Sequence, residues 1–156
     1  MQARINPFGT DFFPKFAKYM VSAHKVVAGT ALPATTAQLV NIRASQINGC
    51  SGCLDMHIKE AEHAGETALR INLVGAWRET TVYTEPERAA LELTEHGTRL
   101  ADGSGVSDEV WETAAKHYDE EQLMALVAQI ALINAFNRFN VMTRQVGGNY
   151  EVGQLH

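Results

Sequence analysis

An all-α fold is predicted by three observations. Apolar residues recur with helical period through the chain, strand-like alternation is absent, and glycine and proline fall only at short junctions. The first helix is expected over about 12–27, with Phe13, Phe16, Tyr19, Met20 and Ala23 along it. That aromatic stripe reads as core or subunit contact rather than as a cofactor box. A second helix is expected over 34–48, with Pro33 in its first turn and Asn48-Gly49 as its stop. The third starts near Cys50 and ends before Gly65, and a shorter helical piece covers about 67–77. Thr84-Glu85-Pro86-Glu87 reads as a capping box with proline in the first turn, opening a helix that stops at Gly97. Ser107 caps another helix running through Trp111 to His117. Asp119 to Gln122 opens the longest helix, which is rich in Leu, Ala, Val and Ile and ends near Arg144.

The 156 residues suit one domain spanning positions 1–156, and a 46% hydrophobic content is enough for a core without disulfide staples. The formal net charge of −5 argues against a nucleic-acid partner, which requires a basic patch, and against an anionic membrane surface. No apolar run is long enough to span a bilayer, and the first residues carry no apolar signal core. A cytoplasmic location is the expectation. Thiols are kept reduced there, so paired cysteines point to reactivity or metal binding rather than to a static bridge.

The only two cysteines stand as Cys50-Ser51-Gly52-Cys53, with His57 four residues further on. On a helix turning about 100° per residue, all three side chains fall within roughly 60° of arc. Unpaired N–H groups at a helix start favour a thiolate, and Gly49 and Gly52 remove bulk beside the sulfurs. Three readings compete: a redox pair, a zinc site using Cys50, Cys53 and His57, and inert packing. Zinc sites usually recruit a second ligand pair elsewhere in the chain, and none is present. A thioredoxin-like setting is excluded because no βαβ pattern surrounds the motif. The residues alone leave the attacking thiol open. The helix start and greater expected exposure favour Cys50 for exchange with a partner's thiol or disulfide, whereas the spacing to His57 favours deprotonation of Cys53. No phosphate-cradling loop is present, so no nucleotide, flavin or other organic cofactor is expected.

The stretch from Gln38 through Asn48-Gly49-Cys50-Ser51-Gly52-Cys53 to His57 resembles the core motif of the alkyl hydroperoxidase D-like (AhpD-like) proteins. These belong to the carboxymuconolactone decarboxylase superfamily. The resemblance extends through Gly65-Glu66, Trp77-Arg78-Glu79, residues 83–90 and Ile133-Asn134-Ala135-Phe136-Asn137-Arg138. It implies an AhpD-like helical bundle assembled as a homotrimer or homohexamer. It also implies reduction of a hydroperoxide at the expense of a thiol or dithiol reductant. By the motif, Cys53 attacks peroxide, Cys50 resolves and His57 relays protons. The relay usually contains a glutamate where this chain has Gln38. An amide can orient His57 but cannot accept its proton or carry charge, so slowed or altered peroxidase activity is expected. The decarboxylase branch lacks the paired cysteines, which counts against a lactone decarboxylase. That enzyme, and a metal-binding or redox-sensing module built on the same residues, are the alternatives.

Ile130, Asn134, Asn137 and Val141 share one face of the last helix, and a structural role is favoured for the two amides. Trp77-Arg78 and Arg88 are expected to pair with acidic residues between helices or subunits. His63, His96 and His117 are expected to face solvent. Glu85, Glu87, Glu92 and Glu95 read as a solvated or inter-subunit face.

Overall fold

The computed structural model describes residues 2–103 and 105–154. Among them are seven α-helices, three 3-10 turns and no strand. The helices are α1 (Phe12–Ala28), α2 (Ala34–Asn48), α3 (Ser51–His63), α4 (Ala68–Leu73), α5 (Glu85–Thr98), α6 (Asp108–Ala115) and α7 (Glu120–Thr143).

Helix α2 is the central element. Leu39, Val40, Asn41, Ile42, Ala44 and Ser45 are all buried, so no side of this stretch faces water. Val40 joins Ala90, Leu93, Leu126 and Ile130 in one core cluster. Leu39 and Ile42 join Ala61, Ile71, Val74, Trp77 and Leu91 in a second. Ala44 meets Cys50, Cys53 and Ile133 in a third, small cluster with Phe136 against it. Its buried residues are polar as well as apolar, and α3, α5 and α7 surround it.

The helix starts follow their capping chemistry. Thr84 with Glu87, and Asp119 with Gln122, form reciprocal capping boxes at α5 and α7. Ser107 accepts from the Val110 N–H and Thr67 from the Arg70 N–H. Pro33 stands just before α2, in the capping position itself, rather than within its first turn. Helix α5 runs through Gly97 to Thr98 instead of stopping there. A Cβ on Gly97 would come within 3.2 Å of Ile130 Cγ2, so this glycine admits α7 and does not end a helix. The 67–77 piece is α4 followed by a 3-10 turn, Val74–Glu79, broken by non-helical Ala76.

Two expectations are corrected. Of the two readings of the α1 stripe, core of this chain is the one overturned: Phe16 and Tyr19 are exposed, and Val27 is the buried residue of this helix. Phe13 is the member that packs, stacked on Phe139 with ring centroids 4.6 Å apart. The acidic set on α5 is not a uniformly solvated face either. Glu87 caps its helix and pairs with Arg70 at 2.5 Å. Glu95, 6% exposed, accepts from Arg43 Nε at 2.7 Å, Trp77 Nε1 at 2.9 Å and Arg78 Nη1 at 2.6 Å. Burial alone would raise its pKa, but hydrogen bonds from Arg78, Trp77 and Arg43 pull it down to about 2. Trp77 and Arg78 therefore pair with acidic groups between helices, as expected, while Arg88 donates to the backbone carbonyls of Trp77, Arg78 and Thr80.

Candidate active site

The cysteine pair lies at the turn between α2 and α3. Gly49 ends α2 in the left-handed region, φ 65°, where a side chain would be strained, and its N–H bonds back to Ser45 and Gln46 carbonyls. The chain then reverses. Cys50 is extended (φ −87°, ψ 94°) and caps α3, its Sγ accepting the Cys53 N–H at 3.3 Å. Cys50 and Cys53 are joined as a disulfide, with Cα atoms 5.4 Å apart. The helical-arc argument thus holds for Cys53 and His57, both inside α3, while Cys50 lies outside the helix and reaches the pair through cap geometry. Nor is Cys50 the more exposed sulfur: the two residues are 1% and 2% exposed. Asn140 Nδ2 of α7 donates to Cys53 Sγ at 3.3 Å.

His57 is buried one turn beyond Cys53. Its Nδ1 is 3.0 Å from Gln38 Oε1 and 3.4 Å from Asn41 Nδ2. The nearer contact is to an acceptor, which assigns the proton to Nδ1 and leaves Nε2 as the acceptor. Asn41 is held in turn, its Oδ1 accepting from Gln129 Nε2 at 2.5 Å. Gln129 Oε1 has no hydrogen-bond partner among the described residues. The His57 pKa is pushed down to about 3, mainly by burial and further by His24, with Glu60 opposing only in part. Gln38 adds no charge to hold an imidazolium. The ring is neutral at physiological pH.

The structure brings Gln38 to His57 and Cys53 to Cys50, as the sequence led one to expect. Asn41, Gln129 and Asn140 were not anticipated. Asn41 had a legible signal, since it stands three residues after Gln38 and so shares its face. Gln129 and Asn140 lie some ninety residues downstream in sequence of the groups they meet, and nothing local announces those contacts. Asn134 and Asn137 take the structural role favoured for them. Both accept from Asn48 Nδ2 at 2.9 Å; Asn137 donates to Ser45 Oγ and Asn134 to Thr98 Oγ1, tying α7 to α2 and α5. Of the remaining histidines, His63 and His117 are exposed, whereas His96 is half-buried beside the Gly105 carbonyl.

After α7 ends at Thr143, with Arg144 as its cap, the chain crosses the outer face of α3. The Gly147 N–H donates to Ser51 Oγ at 3.2 Å. Those of Gly148 and Tyr150 donate to Asp55 Oδ2 at 2.6 and 2.9 Å. Tyr150 OH and the Gly153 N–H both donate to Glu60 Oε1. A Cβ on Gly147 would overlap the Ser51 carbonyl, so only glycine lets the tail lie this close to the cysteine loop. Burial alone would raise the Asp55 pKa, but Lys59 and the two tail N–H groups hold it below its usual value.

No helix of the described residues is long and apolar enough to cross a membrane. No group of three or more His, Cys, Asp or Glu among them could hold a metal ion.

Comparison with known proteins agrees with this architecture. The carboxymuconolactone decarboxylase family model matches residues 14–96. YdfG of Bacillus subtilis, itself uncharacterised, is 42% identical over 131 residues, covering 84% of this chain and 88% of YdfG. A crystal structure from Agrobacterium tumefaciens, of a protein of unknown function linked by name to AhpD antioxidant defence, superposes with a TM-score of 0.87. It is 34% identical, over 96% of this chain and all of that one. A peroxidase-related protein from Silicibacter sp. TM1040 shares the fold at 14% identity, with a TM-score of 0.77 over 92% of this chain and 75% of its own. Sequence match and shared chain path lead to one assignment: this protein belongs to the carboxymuconolactone decarboxylase family, as an AhpD-like member.

Proposed function

We propose that the chain is a thiol-dependent hydroperoxide reductase cycling between the Cys50–Cys53 disulfide and the dithiol. The observation that carries this reading is the disulfide itself, seated at a helix start one turn from a buried, neutral imidazole. In the proposed cycle the Cys53 thiolate attacks the terminal peroxide oxygen. The O–O bond breaks, the alkoxide takes a proton and leaves as the alcohol, and Cys53 becomes a sulfenic acid. Cys50 sulfur then bonds to Cys53 sulfur; hydroxide leaves and takes up the Cys50 proton as water. An external dithiol returns two electrons and two protons, and is itself oxidised to a disulfide. His57, its tautomer set by Gln38, accepts the Cys53 proton at Nε2 as a short-lived imidazolium and gives it to the departing alkoxide. The family and the AhpD-related neighbour support placing this chemistry in antioxidant defence. A homotrimer or homohexamer belongs to the proposal, supported by the exposed aromatic side of α1.

A second reading, dithiol–disulfide exchange without peroxide, is favoured by one feature. Gln38 and burial leave His57 a weak base for ionising Cys53. In exchange, Cys53 departs as a leaving group and needs no base. Peroxide consumption measured with a panel of thiol reductants separates the two. The peroxidase reading expects turnover, abolished in Cys53→Ser, and loss of two thiols per chain that dithiothreitol reverses. Turnover retained in Cys53→Ser would sink the role given to that sulfur. Disulfide reduction without any peroxide turnover would select the exchange reading.

A further inference from the structure

The two sulfurs receive their hydrogen bonds from different sources. Cys50 Sγ accepts from the Cys53 main chain, at a helix start that any sequence would supply. Cys53 Sγ accepts from a side chain of another helix, Asn140 of α7. The Asn140 carbonyl separately closes the end of α7, accepting from the Gln145 N–H at 2.9 Å, and the side-chain amide takes no part in that bond. A disulfide sulfur is a weak acceptor, whereas a thiolate is a strong one, so this contact strengthens when charge arrives on Cys53.

The setting makes that single donor matter. Ala44, Ile133 and Phe136 wall the pair with apolar surface, which alone disfavours a thiolate. The titratable groups around it are accounted for. On α3, His57 is neutral and Asp55 pairs with Lys59 at 2.6 Å; Glu60 acts on His57 from the same helix, and His24 from α1. On α2, Arg43 is tied to Glu95, and on α7, Arg138 bonds to Asn134.

We propose that Asn140 is a catalytic residue, its amide N–H stabilising negative charge on Cys53 Sγ. This rests on the reading of Cys53 as a reactive thiol. In the reductive half-cycle a dithiothreitol thiolate bonds to Cys50 Sγ. The S–S bond breaks, and its electron pair leaves on Cys53 Sγ, where the Asn140 N–H meets it. The second dithiothreitol thiol then displaces Cys50 and closes the reagent's own disulfide, and protons from that thiol and solvent complete the dithiol. In the forward direction the same N–H lowers the pKa of Cys53 before it attacks.

The test is the pH profile of Cys53 ionisation in a Cys50→Ser background, followed by iodoacetamide alkylation and by ultraviolet thiolate absorbance. A hydrogen bond to a charged group is worth about one to two pKa units, so Asn140→Leu is expected to lower the thiolate fraction at neutral pH roughly tenfold. Asn140→Asp, which keeps the size and adds a negative charge, is expected to lower it further. Alkylation rates should converge with the parent at high pH, where the thiol is fully ionised. A purely structural role would change rates at every pH and leave the midpoint in place. Coincident midpoints in the parent and a folded Asn140→Leu protein overturn the proposal, and the uncharged Asn140→Ala variant decides the matter if the leucine variant does not fold. The assay contains no peroxide. A shifted midpoint with no peroxide turnover would keep Asn140 and reject the peroxidase reading, and the converse pair of results would do the reverse.

Discussion

Helix α2 carries two buried polar centres of opposite character. At Arg43 it enters a charged cluster in which Glu95 holds Arg43, Arg78 and the Trp77 indole. At Gln38 and Asn41 it enters an uncharged one in which His57 is bracketed by amides, with Gln129 behind them. Burial acts on both. In the first, opposite charges overcome it and Glu95 stays ionised to about pH 2. In the second Glu60 opposes burial only in part, and His57 is neutral down to about pH 3. Charge is concentrated where helices are tied together, and amides rather than ions contact the His57 ring. A fixed ion beside the cysteine pair would bias one redox state, whereas neutral dipoles can answer to whichever state is present.

The largest expected effect breaks the charged centre. Glu95→Gln leaves Arg43 buried without its countercharge and should cost about 3 kcal/mol in urea unfolding. The ionisation profile of the reduced thiols should not move; a shift would mean that the two centres are coupled.

Acid stability separates the centres next. The folded pKa of His57 lies below its ordinary 6.5, so between pH 6.5 and about 3 the unfolded chain binds a proton that the folded chain refuses. Its contribution therefore falls as pH drops through that window. Glu95 is also depressed, from 4.5 to about 2, and its contribution is present above pH 4.5 and lost as pH falls toward 2. Urea midpoints against pH should lose the upper window in His57→Gln and the lower one in Glu95→Gln. An upper window that survives His57→Gln would assign it to another group.

Converting the neutral centre into a charged one is the third test. Gln38→Glu gives His57 Nδ1 a carboxylate, which should raise the imidazole pKa measured by NMR and speed peroxide turnover at neutral pH. An unchanged His57 titration would show that burial alone sets it.

The smallest expected effect concerns the tail. Gly147→Ala places a methyl group against the Ser51 carbonyl and should cost about 1 kcal/mol while lifting the tail from the cysteine loop. Faster reduction of the disulfide by dithiothreitol is expected. An unchanged rate would show that the tail does not limit access to the sulfurs.

What the sequence determined by itself was local. Helical period announced the helices, although 67–77 holds only the short α4, and capping chemistry placed the starts of α5 and α7, because Thr84 with Glu87 and Asp119 with Gln122 satisfy N–H groups within three residues. The spacing of Cys50, Cys53 and His57 singled out the candidate redox groups, and the family resemblance added Gln38. Tertiary structure alone decided their electrostatics. Gly97 looked like a stop until Ile130 was found against it, and Glu95 looked solvated until Arg43, Trp77 and Arg78 converged on it. The Asn140 donor to Cys53 and the Gln129 amide behind Asn41 come from a helix that begins some sixty residues after α3 ends, and no periodicity encodes that approach. Protonation depends on burial and on which dipoles face a group, and both are properties of packed helices rather than of spacing along one.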